Sequence, residues 1–162
     1  MLGAIIGDII GSRFEFSNYR AKDFELFDEE CSYTDDSIMT IAIGNAIMEC
    51  NGNYNELSQK TIECMQYLGK KYPYAGYGGM FSRWLRAENP QPYNSFGNGS
   101  AMRVSAVAYE AETLEEVREL SKIVTEITHN HSEGIKGAEA TAIAIYLARI
   151  GTKKEDIKNY IE

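Results

Sequence analysis

Apolar side chains recur along this chain every three to four residues, the spacing that puts them on one face of an α-helix. In the opening "MLGAIIGDIIG", Gly3, Gly7 and Gly11 lie four residues apart and share a helical face. Glycine weakens helices, so a stripe of it predicts close approach by another backbone. The next segment carries Ile38, Met39, Ile41, Ala42, Ile43, Ala46, Ile47 and Met48, apolar on nearly every side. That pattern predicts a central, buried helix, ended by Asn51-Gly52-Asn53. Leu57, Thr61, Cys64, Met65 and Leu68 then mark an amphipathic helix that stops before Pro73.

The pattern breaks over residues 74–100, which are rich in glycine, aromatic residues and asparagine. A long loop is predicted there, interrupted by a short helix at about residues 80–86. Long ordered loops on compact scaffolds tend to carry function. Helical character returns over residues 100–111. Thr113 and Glu116 form a T-x-x-E capping box ahead of Leu114, Val117, Leu120, Val124 and Ile127. A small-residue helix follows at about residues 133–150, closed by Gly151. Thr152 and Glu155 repeat the capping box and open a last helix through Ile157 and Ile161, which reaches Glu162 without a stop signal. Such an ending fits a chain that is cut short, or a natural terminal helix that frays. No strand, repeat or low-complexity tract is evident, and the fold class predicted is all-α.

Composition narrows the function. At 162 residues, 44% hydrophobic and 25% charged, the chain is one ordinary globular domain. A net charge of -8 without a basic block argues against a nucleic-acid partner, although a small anion needs only a local cluster of donors. Cys31, Cys50 and Cys64 lack zinc-ligand spacing, and the last two fall in apolar helical patterns, so buried free thiols are expected. The apolar start is interrupted by Asp8 and has no basic region before it, unlike a signal peptide, and it is too short to span a bilayer. No membrane association and a cytoplasmic location are the expectations.

Four clusters could carry chemistry. Thr34-Asp35-Asp36 stands directly before the buried helix. These residues suit a helix N-cap and its dipole, and their oxygens equally suit a hard cation. Glu15, between Phe14 and Phe16, is either a functional carboxylate near Asp8 or a side chain turned outward at a helix end. "NSFGNGSAMR" offers Gly97 and Gly99, whose backbones could turn amides inward ahead of a helix and cradle a phosphate; a plain glycine turn is the alternative. "THNHS" places His129 and His131 in a loop. They could contact a ribose or phosphate, or one could be an ordinary polar loop residue and the other a helix cap. Two histidines exclude a three-histidine zinc centre within this chain, and no GxSxG elbow is present.

The order of "GAIIGDIIGSRFEF", "YTDDSIMTIAI", "FGNGSAMRVSAVA" and "ITHNHSEGIKGAEATAIAIYLA" resembles the ADP-ribosylglycohydrolase family, over nearly the whole chain. The resemblance implies a compact all-α bundle with a dinuclear Mg2+ or Mn2+ site, and hydrolysis of a glycosidic bond in ADP-ribosylated substrates. Thr34, Asp35 and Asp36 match the family's N-terminal metal ligands, and Glu15 matches a glutamate on a mobile flap. Asp35, Asp36 and Glu15 are then the candidate catalytic acids and bases. Ser95, Phe96, Gly97, Asn98 and Gly99 match the loop that holds ADP-ribose, with Phe96 placed to stack on adenine. His129 matches a histidine that contacts it, and Arg103 ends the loop motif in a ligand or packing role.

One departure matters. The family supplies the other half of the metal site from a later D-x-D-T/S motif, whereas the only aspartate after Asp36 is Asp156. The chain is therefore expected to be the N-terminal portion of a single domain, residues 1–162, incomplete at its C-terminus. Its own activity is placed in doubt, and apolar faces left uncovered would favour self-association. Binding of ADP-ribose without hydrolysis is the first alternative. A structural role on the same scaffold, as in some lens crystallins that resemble these hydrolases, is the second, and the retained acidic pair argues against it.

Overall fold

The apolar run after Asp36 forms α2 (Asp35–Cys50), which packs against three other helices. It buries Ile38, Met39, Ala42, Ile43, Ala46, Ile47 and Cys50, as its all-round apolar pattern predicts. Asn51 ends it in the left-handed conformation, φ 46°, which asparagine tolerates better than most residues. The structure is a computed structural model that describes residues 1–17 and 19–161, with eight α-helices and no strand among them. The all-α expectation holds. Glu162 lies outside the described residues.

The other helices are α1 (Leu2–Gly11), α3 (Leu57–Lys71), α4 (Gly79–Trp84), α5 (Val107–Glu110), α6 (Leu114–Glu126), α7 (Ser132–Arg149) and α8 (Lys154–Ile161), of which α1, α3 and α5 pack against α2. Two closely packed helix pairs make the body: α2 against α3, and α6 against α7. Their shared core includes Leu57, Met65, Trp84, Val107, Val117, Val124 and Ile143. Cys50 and Cys64 are buried free thiols, as expected, and burial pushes the Cys64 thiol up to about 11.

Local signals placed most helix starts correctly. Thr113 accepts from the Glu116 N–H while the Glu116 carboxylate accepts from the Thr113 N–H, a complete capping box. The box expected at Thr152 is displaced. The N–H groups of Asp156 and Ile157 both donate to the Lys153 carbonyl, so α8 starts one residue later than the T-x-x-E spacing requires.

The glycine stripe is a correction. No residue of α1 is buried, and an added Cβ at Gly3, Gly7 or Gly11 would meet no heavy atom within 4 Å. Half-buried Ile5, Asp8 and Ile9 lie on the other side of the helix, so the glycine face points away from the packed elements. Gly7→Ala is accordingly expected to stabilise this chain by about 0.5–1 kcal/mol through helix propensity alone. Urea denaturation checks it; a loss of stability would reveal a packing partner on that face.

Candidate functional site

The start of α2 is held by a carboxylate from another helix. Asp8 accepts from the Thr34 N–H at 2.9 Å and the Ser37 N–H at 3.1 Å, and both hydroxyls, Thr34 Oγ1–H and Ser37 Oγ–H, also donate to it. An anion at a helix N-terminus satisfies orphan donors and interacts favourably with the dipole. Thr34 meanwhile accepts from the Asp36 N–H at 3.3 Å, so the residue is the N-cap the sequence predicts. With its hydrogen committed to Asp8, Oγ1 turns its remaining lone-pair density elsewhere.

Asp35 and Asp36 are both half-buried in the first turn. Burial raises the Asp35 carboxyl to about 6, helped by the Asp36 charge and then by Glu15 and Asp8. Asp36 is raised too, by burial first and then by Asp8 and Glu15. A carboxylate with a cationic partner shows the opposite shift. A divalent cation bridging these oxygens would relieve both causes, which is the chemistry expected of residues suited to one. Among the described residues, however, no group of three or more His, Cys, Asp or Glu side chains converges. A hard cation with about six oxygens would need the Thr34 hydroxyl and several waters beside the two carboxylates.

The segment after α3 closes over Asp35. Gly76 has φ 96°, and a Cβ built on it would lie 3.7 Å from Asp35 Oδ1. Tyr77 buries its hydroxyl without a partner, and its pKa is pushed up to about 12 by burial and then by Asp35. Gly78, Gly79 and Met80 continue along the wall of a cavity of about 530 Å³ that Asp35 also lines.

The opposite wall is two loops stapled together. Tyr93 N–H donates to the Thr128 carbonyl at 3.3 Å, and Asn94 N–H to Asn130 Oδ1 at 2.8 Å, with Asn94 itself left-handed at φ 55°. Ser100 Oγ–H donates to the Gly134 carbonyl at 3.0 Å, tying the loop to α7. Ser95, Gly97, Asn98, Gly99 and His129 all line the cavity, so the phosphate-loop candidates, the histidine and Asp35 do face one space. Phe96 does not line it. It is 72% exposed at the rim, its ring 5.1 Å from that of His131. Thr34, Asp36 and the exposed Glu15 also lie outside the lining, although Glu15 is near enough to bias both aspartates.

Two details of the glycine loop differ from expectation. Neither Gly97 nor Gly99 has a positive φ; at Gly99 an added Cβ would stand 3.2 Å from His129 Cε1 and 3.3 Å from Nε2, so the ring would have to give slightly. No long helix begins behind it either. Turns over residues 98–103 lead into a short 3-10 segment, Val104–Ala106, and then the four-residue α5. The expected α-helix N-terminus therefore does not stand directly behind the glycines.

The histidines divide the two readings between them. His131 caps α7, its Nδ1 accepting from the Glu133 N–H at 3.1 Å. His129 is 4% exposed, and its pKa is pushed down to about 4 by burial and then by the Arg103 charge. Arg103 is fully enclosed beneath the loop, 5.8 Å over the Phe81 ring, with burial lowering it to about 10. Asp8, Tyr93 and the Gly76–Gly79 wall were not assigned places in the site by sequence, whereas Arg103, left between a ligand and a packing role, lies in the cavity lining. Only the unusual aspartate in an apolar helix and the glycine cluster signalled them.

Sequence comparison bears on this geometry. The ADP-ribosylglycohydrolase family profile matches residues 1–162. The ADP-ribosylhydrolase ARH3 of Gallus gallus is 27% identical over 184 residues, covering 93% of this chain and 49% of that protein. ARH3 of Mus musculus and of Homo sapiens are each 28% identical over 142 residues, 79% of this chain and 38% of theirs. The chain thus spans about half the length, or less, of these relatives.

Proposed function

This chain belongs to the ADP-ribosylglycohydrolase family, and on that premise we propose that it carries the substrate cradle and acidic pair of a metal-dependent hydrolase acting on the glycosidic bond of ADP-ribosylated substrates. The observation that carries this reading is the shared cavity, with Asp35 on one wall and the Ser95–Gly99 loop and His129 on the other. The loop and His129 hold the phosphates, remote from the reacting carbon, and a ribose, and Asp35, Asp36 and Thr34 would hold Mg2+ or Mn2+. Once bound, the cation supplies Lewis-acid polarisation and charge for orienting ribose hydroxyls and water. Water attacks the anomeric carbon as the bond from that carbon to the leaving nitrogen or oxygen breaks. Of Asp35, Asp36 and Glu15, Asp35 alone lines the cavity, so we assign it to take up the water's proton.

Calorimetric titration of ADP-ribose into the chain tests the cradle; no heat at millimolar ligand removes it. Release of free ADP-ribose from an ADP-ribosylated peptide, with Mg2+ or Mn2+ present, tests hydrolysis. Binding without release supports the second reading, a module that holds ADP-ribose uncleaved. The small number of converging acidic side chains favours that reading for the chain by itself.

The acidic pair also yields a pH signature. Asp35 is raised to about 6 when folded, above its ordinary value of 3.8, so the folded state binds more protons between those values. Without metal, this group's contribution to stability is therefore gained as pH falls from 6 towards 4. A cation must displace that proton, so Mg2+-induced stabilisation is expected to be present at pH 7 and to fade over the same window. Thermal melts with and without Mg2+ at pH 7, 6 and 5 check both signs. Asp35→Ala/Asp36→Ala should remove the Mg2+ shift altogether.

A further inference from the structure

Beneath the glycine loop, three enclosed side chains form a chain of hydrogen bonds whose direction can be worked out. Arg103 and Thr128 are 1% and 0% exposed, and His129 is 4% exposed. Arg103 Nη2 lies 2.7 Å from Thr128 Oγ1, and Thr128 Oγ1 lies 2.7 Å from His129 Nδ1. Guanidinium has only donors, so Arg103 donates and the threonine oxygen accepts. The threonine hydrogen then has one acceptor within reach, His129 Nδ1; no other partner of that hydroxyl is found among the described residues. The reverse arrangement, with Nδ1–H donating, would leave a buried hydroxyl hydrogen unmatched. That costs about 1–3 kcal/mol, enough to bias the tautomer about five- to 150-fold.

We propose that Thr128 is a positioning residue, relaying Arg103 to His129 so that His129 is held as the Nε2–H tautomer and presents a fixed donor over the Gly97–Gly99 turn. The Cε1–Nε2 edge of the ring is the one that approaches Gly99, where an added Cβ would stand 3.2 Å from Cε1 and 3.3 Å from Nε2, and His129 lines the cavity. Burial and the Arg103 charge keep the ring neutral, consistent with a donor that does not switch on and off near neutral pH. The ligand atom facing it is therefore an acceptor, an oxygen of a phosphate or of a ribose, and not an N–H or ammonium group. The role in binding rests on the cradle proposed above; the tautomer does not.

The test is a long-range 1H–15N correlation on histidine-labelled protein without ligand at pH 7, followed by ADP-ribose titration. His129 is expected with a bare Nδ1 and a protonated Nε2. Thr128→Val should let the Nδ1–H form appear and weaken ADP-ribose binding about tenfold, and Thr128→Ser should restore both. A wild-type spectrum with Nδ1–H, or a Thr128→Val spectrum with the tautomer unchanged, overturns the relay. Should Thr128→Val fail to fold, the wild-type spectrum and Thr128→Ser decide the matter. Absence of ADP-ribose binding to wild type, with the tautomer as expected, would refute the cradle and leave the relay standing.

Discussion

Asp8→Ala is expected to lower folding stability by about 3 kcal/mol, the largest single loss foreseen in this chain. The carboxylate is the common acceptor for two backbone N–H groups and two hydroxyls at the head of α2. Alanine would leave those donors without the anion that satisfies them, at the end of the helix on which the core is built. It would also free the Thr34 hydroxyl to rotate. Asp8→Asn separates the two consequences. Its carbonyl oxygen can take the place of Oδ2, facing Ser37 and the backbone donors, at a cost of about 1 kcal/mol. Its amide would then stand at Oδ1 and donate to Thr34 Oγ1, reversing that hydrogen bond and occupying lone-pair density that the proposed cation would use. Asp8→Asn is thus expected to lose more Mg2+ affinity than stability. Urea denaturation and Mg2+ calorimetry on the same variants measure the two; equal stability for Asp8→Ala and wild type would refute the assignment.

Gly134→Ala carries the second large effect, with a sign opposite to the usual one. Replacing glycine by alanine inside a helix normally gains up to about 1 kcal/mol. Gly134 sits in the first turn of α7, where an added Cβ would stand 2.8 Å from the Ser95 carbonyl oxygen and 3.2 Å from His129 Cβ. The first of these is backbone, which has no rotamer to retreat into. A loss of about 2 kcal/mol is expected, as for other overpacked sites. Since the segment that must give way is the loop proposed to hold the ligand, ADP-ribose binding should weaken at least about tenfold with it. Gly137→Ala, one turn further along, meets nothing within 4 Å and serves as the control, expected to be neutral or stabilising. Chemical denaturation of the pair decides: if Gly134→Ala is as stable as Gly137→Ala, the close approach of loop and helix is not maintained in solution.

Much of the scaffold could be read from the chain because its signals act over four residues or fewer. The cap at Thr34, the capping box at Thr113 and the all-round apolar face of α2 each depend on immediate neighbours, and each formed as expected. The motif residues that meet in the cavity were also legible, through their resemblance to a family. Glycine was the least legible residue. The stripe in α1 suggested packing that the described residues do not make, whereas the tightest glycine contact at the site belongs to Gly134, which the periodicity did not mark.

What sequence alone determined, then, is a set of helices, their starts and the chemistry available: oxygen donors, a glycine loop and two histidines. Tertiary structure decided the assignments among them. It made Asp8 the partner of Thr34 across 26 residues and Arg103 the partner of Thr128 across 25. It also sent His131 to cap a helix and His129 into the cavity. The reason is physical. A hydrogen bond's direction, a carboxylate's pKa and a histidine's tautomer depend on which groups share a small, dry volume, and residues far apart along a chain share one only after the core has closed around them.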